Sequence, residues 1–278
     1  MLIALSSPGA ISVEDSSQIR ALAAAIASAD GQPPLSDQAL SQLAAESVEH
    51  RLARDGQMLI GYAQLDGRSL EIASELPAIG DLLDSFSGRP LLVWSHGRRS
   101  RLAPVLSDRG FQRERGLYQL RRSLRETIAE TPPPAGVTIR PFVVGQDEDA
   151  QLRVNAVAFA DHREQGSWTR ADLESRENEP WFDADGFLLA WRGPELVGFH
   201  WTKIHPGGIG EVYVVGVAPS AQGIGLGSVL IQRGLIYLRD RGCEQVLLYV
   251  DDTNAPALRM YQRFGFHEYD LDVQWSGP

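Results

Sequence analysis

The sequence predicts an α/β (α+β) chain in which one fold occurs twice, and three observations carry that reading. Strand-like and helix-like segments alternate, a run of prolines divides the chain near its middle, and short patterns of the first half recur in the second. At roughly 100 to 200 residues per domain, 278 residues accommodate two domains with a core each.

Thr131-Pro132-Pro133-Pro134-Ala135-Gly136 cannot continue a helix or an interior strand, because consecutive prolines lack amide donors and favour extended geometry. Residues 131–136 are therefore read as a linker between domains over 1–130 and 137–278. After it, Val137-Thr138-Ile139-Arg140 reads as a strand and 147–159 as a helix with Leu152, Val154, Ala156 and Val157 apolar. Thr169-Arg170-Ala171-Asp172 can cap a second helix. Segments 186–191, 196–204 and 209–217 read as three strands joined by hairpins, with turns at Arg192-Gly193-Pro194-Glu195 and His205-Pro206-Gly207-Gly208. A helix over about 225–241 presents Leu230, Ile231, Leu235 and Leu238 on one face. A strand over 245–250, a helix over about 255–264 and a last strand region over 266–275 complete the series.

The first half echoes this series. Leu59-Ile60-Gly61-Tyr62 matches Leu196-Val197-Gly198-Phe199, and Leu91-Leu92-Val93-Trp94 with Gly110-Phe111 matches Leu247-Leu248-Tyr249-Val250 with Gly265-Phe266. From Gly61 to Leu91 is 30 residues and from Gly198 to Leu247 is 49, so the first half is short where the second carries a glycine loop.

A composition of 43% hydrophobic and 22% charged residues excludes wholesale disorder, and no run approaches the ~20 apolar residues of a membrane helix. The start, Met1-Leu2-Ile3-Ala4-Leu5, has no positively charged region and no sustained apolar stretch, which argues against a secretory signal. A single cysteine, Cys243, permits no internal disulfide; it fits a reducing cytoplasm and is expected to be a small buried apolar residue. The first 136 residues hold 14 basic and 16 acidic side chains and the rest hold 12 and 20, so neither half suits a phosphate backbone. The acidic second half favours a small cationic substrate. The expected partner is thus a small molecule, with no nucleic acid and no membrane, and the chain is expected to act as a monomer. The six histidines are scattered without metal-ligand spacing, so no metal is expected.

The most specific local feature is Gln222-Gly223-Ile224-Gly225-Leu226-Gly227, which comes after a strand and opens a helix. Such a turn presents successive backbone N–H groups and a helix N-terminus, which together bind a pyrophosphate. A dinucleotide-binding loop and a plain tight turn are the competing readings. Against the dinucleotide, the G-x-G-x-x-G spacing is absent and the preceding strand comes after a hairpin instead of a parallel crossover.

Together with the segment from Asn254 to Phe266, the loop resembles the acetyl-CoA signature of the GCN5-related N-acetyltransferases, in the forms Q-x-x-G-x-G and N-x-x-A-x-x-x-Y-x-x-x-G-F. The resemblance implies two tandem folds of that family, each a mixed, mainly antiparallel central sheet flanked by helices, with acetyl-CoA as co-substrate. It implies that pantetheine lies between the strands ending at Val217 and Val250, against Val215, Gly216 and Val217. It puts the pyrophosphate on Gln222, Gly223, Ile224, Gly225, Leu226, Gly227 and Ser228, and the pantetheine and adenosine side on Asn254, Ala255, Pro256, Ala257, Leu258 and Arg259.

A narrower resemblance rests on His200 to Gly207, Gly210 to Val217 and Ala158 to Gly166. It is to the tandem members that acetylate the cysteinyl amine of cysteinyl-glucosaminyl-inositol, and it implies that Asp30, Glu164, Lys203, Glu211 and Tyr249 hold that substrate. Sugar and inositol hydroxyls suit such charged and hydroxyl side chains. The first half departs from the pattern: Leu106 stands where Tyr261 stands in the second, and Leu76-Pro77-Ala78-Ile79-Gly80 replaces the glycine loop. It is therefore expected to be a degenerate acetyltransferase-like domain.

Acetyl transfer from a thioester to an amine needs a neutral amine, a stabilised oxyanion and a protonated leaving thiolate. Strand alternation puts residues 211, 213, 215 and 217 on one face unless a bulge intervenes. By the resemblance, Glu211 is the general base, directly or through water, and Tyr261 gives a proton to the leaving sulfur. A phenol of ordinary pKa ~10 suits that task. Tyr213 is the alternative acid or base, and an amide near Val215 or Val217 would bind the oxyanion. Two other readings are an acetyltransferase for another amine, such as a peptide N-terminus or an aminoglycoside, and a non-catalytic acetyl-CoA sensor.

Overall fold

The structure is a computed structural model and describes residues 3–160 and 165–277. The first stretch runs β1 (Ile3–Ser6), α1 (Val13–Asp30), α2 (Asp37–Ser41), β2 (Glu49–Asp55), β3 (Met58–Asp66), β4 (Ser69–Ser74), α3 (Leu76–Asp84), β5 (Leu92–Ser95), α4 (Leu102–Asp108) and β6 (Gln112–Ser123). The second runs β7 (Val137–Pro141), α5 (Glu148–Ala158), α6 (Arg170–Glu177), β8 (Phe187–Arg192), β9 (Glu195–Ile204), β10 (Ile209–Val217), α7 (Leu226–Asp240), β11 (Gln245–Asp251), α8 (Ala255–Arg263) and β12 (His267–Ser276).

Contacts divide the chain into two compact units: Met1–Gln119 with Asp251–Ala255 and Glu268–Pro278, and Leu120–Val250 with Pro256–His267. The units interleave along the sequence, and the proline run lies inside the second. The cause is strand pairing, since β12 runs antiparallel to β5 from Val273↔Ser95 to Ser276↔Leu92 and so belongs to the first unit.

In the first unit the strand order is β1-β2-β3-β4-β5-β12, in which only β4 and β5 pair in parallel. Its core gathers Ile60, Leu70, Ile79, Leu82, Phe86, Val93 and Leu106 against α3 and α4, and Ile19, Ile26, Leu52 and Tyr62 against α1. In the second unit the order is β7-β8-β9-β10-β11, with the end of β6 beside β11, and β10 and β11 again form a parallel pair. One sheet face packs Phe187, Phe199, Trp201 and Val214 with Val154 of α5 and Leu173 of α6. The other packs Val197 with Leu226 and Leu230 of α7. The capping signal at Thr169 is realised: its side chain accepts from Asp172 N, and the Asp172 carboxylate accepts from the Thr169 N–H at 2.8 Å. Among the described residues no helix is long and apolar enough to cross a membrane.

The recurrent Gly-Phe pairs are helix ends. In the second unit Phe266 N donates to Tyr261 O at 3.1 Å and Gly265 N to Gln262 O at 2.9 Å, with Gly265 at φ 77. In the first, Phe111 N donates to Leu106 O at 3.0 Å and Gly110 N to Ser107 O at 3.0 Å, with Gly110 at φ 81. Both are Schellman caps, which need a left-handed residue that glycine supplies without strain. The repeat thus preserves a cap, while the residue beneath it changes from leucine to tyrosine.

Candidate active site

The site of the second unit begins where two strands part. β10 pairs with β11 only from Ile209↔Gln245 to Glu211↔Leu247, whereas its pairing with β9 continues to Val217↔Gly198. Beyond Glu211 the backbone edge of β10 away from β9 has, among the described residues, no ladder partner on β11, so its amides and carbonyls are open to a ligand. In the first unit β4 and β5 part in the same way, after Glu71↔Trp94, and β4 ends three residues on at Ser74. The first opening is therefore half as deep as the second.

The path of the chain beyond the strand also differs between the units. Ala218 N donates to Val197 O at 2.9 Å, and the equivalent Glu75 N donates to Ile60 O at 2.8 Å. From Glu75 the chain enters α3 at once, whereas from Ala218 it makes a short turn and the glycine loop before α7. Gly223 has φ 79 and Gly225, the residue preceding α7, has φ 82. Left-handed residues spaced in this way turn neighbouring N–H groups toward one point, and the first N–H groups of α7 have no intrahelical acceptor. Gln222 Nε2 donates to Val217 O at 3.3 Å, which ties the loop to the end of β10. This cradle fits a pyrophosphate.

The alternation expected for β10 is interrupted. Its register with β9 shifts between Val212 and Val214, which makes Tyr213 a bulge. Glu211, paired with Lys203, and Tyr213 thus share the face covered by α5 and α6, while Val215 and Val217 turn to the face of α7. Leu247, opposite Glu211, puts Tyr249 on the Glu211 face as well, and Tyr249 is exposed.

Glu211 is buried, and its Oε2 lies 2.6 Å from His205 Nε2. Lys203, also buried, lies with Nζ 5.0 Å from the Trp181 ring and 5.8 Å from that of Tyr213. Arg176 of α6 donates from Nε to the Tyr213 hydroxyl at 3.1 Å and stacks 4.3 Å over Trp168. Lys203, Glu211 and Tyr249 are thus brought onto one face, and to them the structure adds His205, Arg176, Trp168 and Trp181, which sequence reasoning did not single out. His205 alone had a visible signal, for it begins the hairpin turn that returns to Glu211.

Tyr261 lies in α8, its ring 5.7 Å from Phe266 in an edge contact. It is buried, and burial raises its phenol above the ordinary value, so the group is held protonated. Asn254, Ala255, Pro256, Ala257, Leu258 and Arg259 form the end of the β11–α8 turn and the first turns of α8, with Asn254 and Ala255 counted in the first unit. Asp30 also belongs to the first unit: it ends α1 ahead of Gly31 at φ 87 and is held by Arg101, Nη2 to Oδ1 2.9 Å. Glu164 lies outside the described residues. Cys243 is buried, as its isolation in the sequence suggests, and burial pushes its thiol up. Among the described residues no group of three or more His, Cys, Asp or Glu could hold a metal ion.

The acetyltransferase (GNAT) family pattern matches residues 156–266. The mycothiol acetyltransferase of Thermomonospora curvata is 48% identical over 277 residues, covering 94% of this chain and 93% of its own. This chain belongs to the mycothiol acetyltransferase family. Solved structures agree on the fold across nearly all of it. A GCN5-related N-acetyltransferase from Sphaerobacter thermophilus covers 99% of this chain and 95% of its own at TM-score 0.74 and 23% identity. A tandem GNAT protein from the clavulanic acid pathway covers 100% and 99% at TM-score 0.75 and 16% identity. Like its relatives in the mycothiol acetyltransferase family, the chain is an acyltransferase with two tandem GNAT folds, each a mixed, mainly antiparallel sheet with helices on its faces.

Proposed function

We propose that the second unit transfers acetyl from acetyl-CoA to the cysteinyl amine of cysteinyl-glucosaminyl-inositol, giving mycothiol. The observation that carries the reading is the opening of β10 from β11 after Glu211, with the glycine loop from Gln222 to Gly227 closing its far end. Acetyl-CoA, when bound, supplies an activated thioester carbonyl. Loop N–H groups from Gln222 to Ser228 hold the pyrophosphate, the open edge at Val215, Gly216 and Val217 takes the pantetheine, and residues Asn254 to Arg259 take the pantetheine and adenosine side.

Glu211 accepts the amine proton, and a backbone N–H near Val215 or Val217 receives the oxyanion. Tyr261, kept protonated by burial, gives its proton to the departing sulfur. Lys203 and Tyr249, on the Glu211 face, meet the substrate hydroxyls; Asp30 and Glu164 enter through the family resemblance alone. The first unit, with Leu106 in place of the tyrosine and no glycine loop, takes no chemical part. The enzyme works as a monomer in the cytoplasm on a small molecule, with neither nucleic acid nor membrane as partner.

Steady-state CoA release from acetyl-CoA, measured with cysteinyl-glucosaminyl-inositol and a panel of simple amines, aminoglycosides and peptide N-termini, tests the reading. Preference for the pseudodisaccharide by orders of magnitude is expected. Release only with other amines, or with none, overturns it.

A further inference from the structure

We infer that His205 is a positioning residue for Glu211 and its proton outlet to solvent; the inference rests on the reading of Glu211 as general base. Forming an amide from an ammonium substrate makes one N–C bond and breaks one C–S bond. Of the two protons the nitrogen loses, one goes to the sulfur and one must leave the site. Glu211 has little solvent access of its own, its side chain being 9% exposed, whereas His205, whose Nε2 lies 2.6 Å from Glu211 Oε2, is 23% exposed and offers that proton a wider way out. An imidazole has two ring nitrogens, one to take up a proton and a second through which it passes on.

The turn makes this contact a fixed one. His205 N donates to Ile209 O at 2.9 Å, Gly208 N donates to His205 O at 3.0 Å, and Gly207 and Gly208 hold φ 93 and 80, which glycine adopts without strain. Among the described residues, the charged and titratable groups around the pair are Lys203, directly across on β9, Tyr213 on β10, and Arg176 of α6 on the Tyr213 hydroxyl. On the other side Glu211 is flanked by Leu247 of β11, which is apolar. Among the described residues His205 is the neighbour of Glu211 placed to exchange a proton with it.

The test is a mutant cycle on the whole enzyme with acetyl-CoA and cysteinyl-glucosaminyl-inositol, using His205→Gln, Glu211→Gln and the double variant. His205→Gln keeps a hydrogen-bond donor and cannot pass a proton. It should lower kcat by about 10- to 100-fold, within the range of general acid–base effects, and leave acetyl-CoA affinity unchanged. In the Glu211→Gln background it should add less than about 2-fold, since the two act through one proton path. Free imidazole should restore turnover to His205→Ala. Near-wild-type kcat in His205→Gln, or a full additional loss in the double variant, overturns the inference while leaving the base in place. Wild-type turnover by Glu211→Gln overturns the base reading itself and this inference with it.

Discussion

Replacing His96 by glutamine removes the group that carries positive charge between two half-buried carboxylates of the first unit. His96 Nδ1 lies 3.1 Å from Asp272 Oδ2, and its Nε2 lies 3.4 Å from Glu71 Oε2. Burial opposes the charge on the ring, yet the hydrogen bond to Asp272 and the ion pair with Glu71 outweigh it and push His96 from 6.5 up to about 10. Glu71, held also by Ser36 N at 2.6 Å and Ser36 Oγ at 2.7 Å, is lowered. A pKa raised on folding means that the charged form is stabilised, so the contribution is complete below about 6.5 and is lost as pH rises through about 10. At 1.36 kcal/mol per pH unit the full effect is at most ~5 kcal/mol, of which about 3 remains at pH 7.5 and about 1 at pH 9.5. Urea denaturation followed by circular dichroism at those two pH values should therefore show wild type losing about 2 kcal/mol more than His96→Gln between them. Parallel losses in the two proteins would refute the charged bridge.

Tyr261→Phe should cut kcat by about 100-fold while acetyl-CoA affinity, measured by calorimetry, moves less than about 2-fold; a kcat within a few-fold of wild type would remove the tyrosine from the acid role. Gly225→Ala places a side chain at φ 82 and should cost about 1–2 kcal/mol of strain, weakening acetyl-CoA binding roughly 10-fold; unchanged affinity would detach the loop from the cofactor. Gly234→Ala would bring a Cβ 2.0 Å from His200 Cε1 and should destabilise by about 1–3 kcal/mol, whereas Gly227→Ala meets only Val217 Cγ2 at 3.7 Å and should leave the melting temperature nearly unchanged.

His200 explains why the Gly234 position is so sensitive. Burial lowers it to about 4, so the ring is neutral, and its Nδ1 lies 2.7 Å from Leu230 O within the α7 backbone. The ring occupies the groove that the missing side chain of Gly234 leaves.

Local chemistry made most of the second unit legible in the sequence. The hairpin turns, the cap at Thr169, the α7 stripe of Leu230, Ile231, Leu235 and Leu238, and the glycine loop each write their signal within a few residues. The Tyr213 bulge left none, since no glycine or proline marks it, and it alone decides which face Val215 and Val217 take. The Glu71–His96–Asp272 cluster was equally hidden, because its members are brought together by pairings of β4 with β5 and of β5 with β12. The duplication was visible in Leu-rich strands and Gly-Phe caps. That Glu71 and Glu211 occupy the last parallel pair of their respective strands was not, for only the register reveals it.

The place of β12 in the first unit has a consequence for synthesis on the ribosome. A chain that has just emerged as far as Gln119 holds β1 to β5 and the first part of β6, and lacks Val273 to Ser276, which complete the β5 edge. At roughly 5–20 residues per second, about 150 more residues occupy the ribosome for some 8–30 s before they appear. Throughout that interval β5 presents an unpaired edge, and its His96 has Glu71 but lacks Asp272. The second unit, whose residues from Leu120 to His267 emerge earlier, can settle before the first does. A stop codon that removes only the final dozen residues would therefore harm the beginning of the protein, the half farthest from the lesion in the gene.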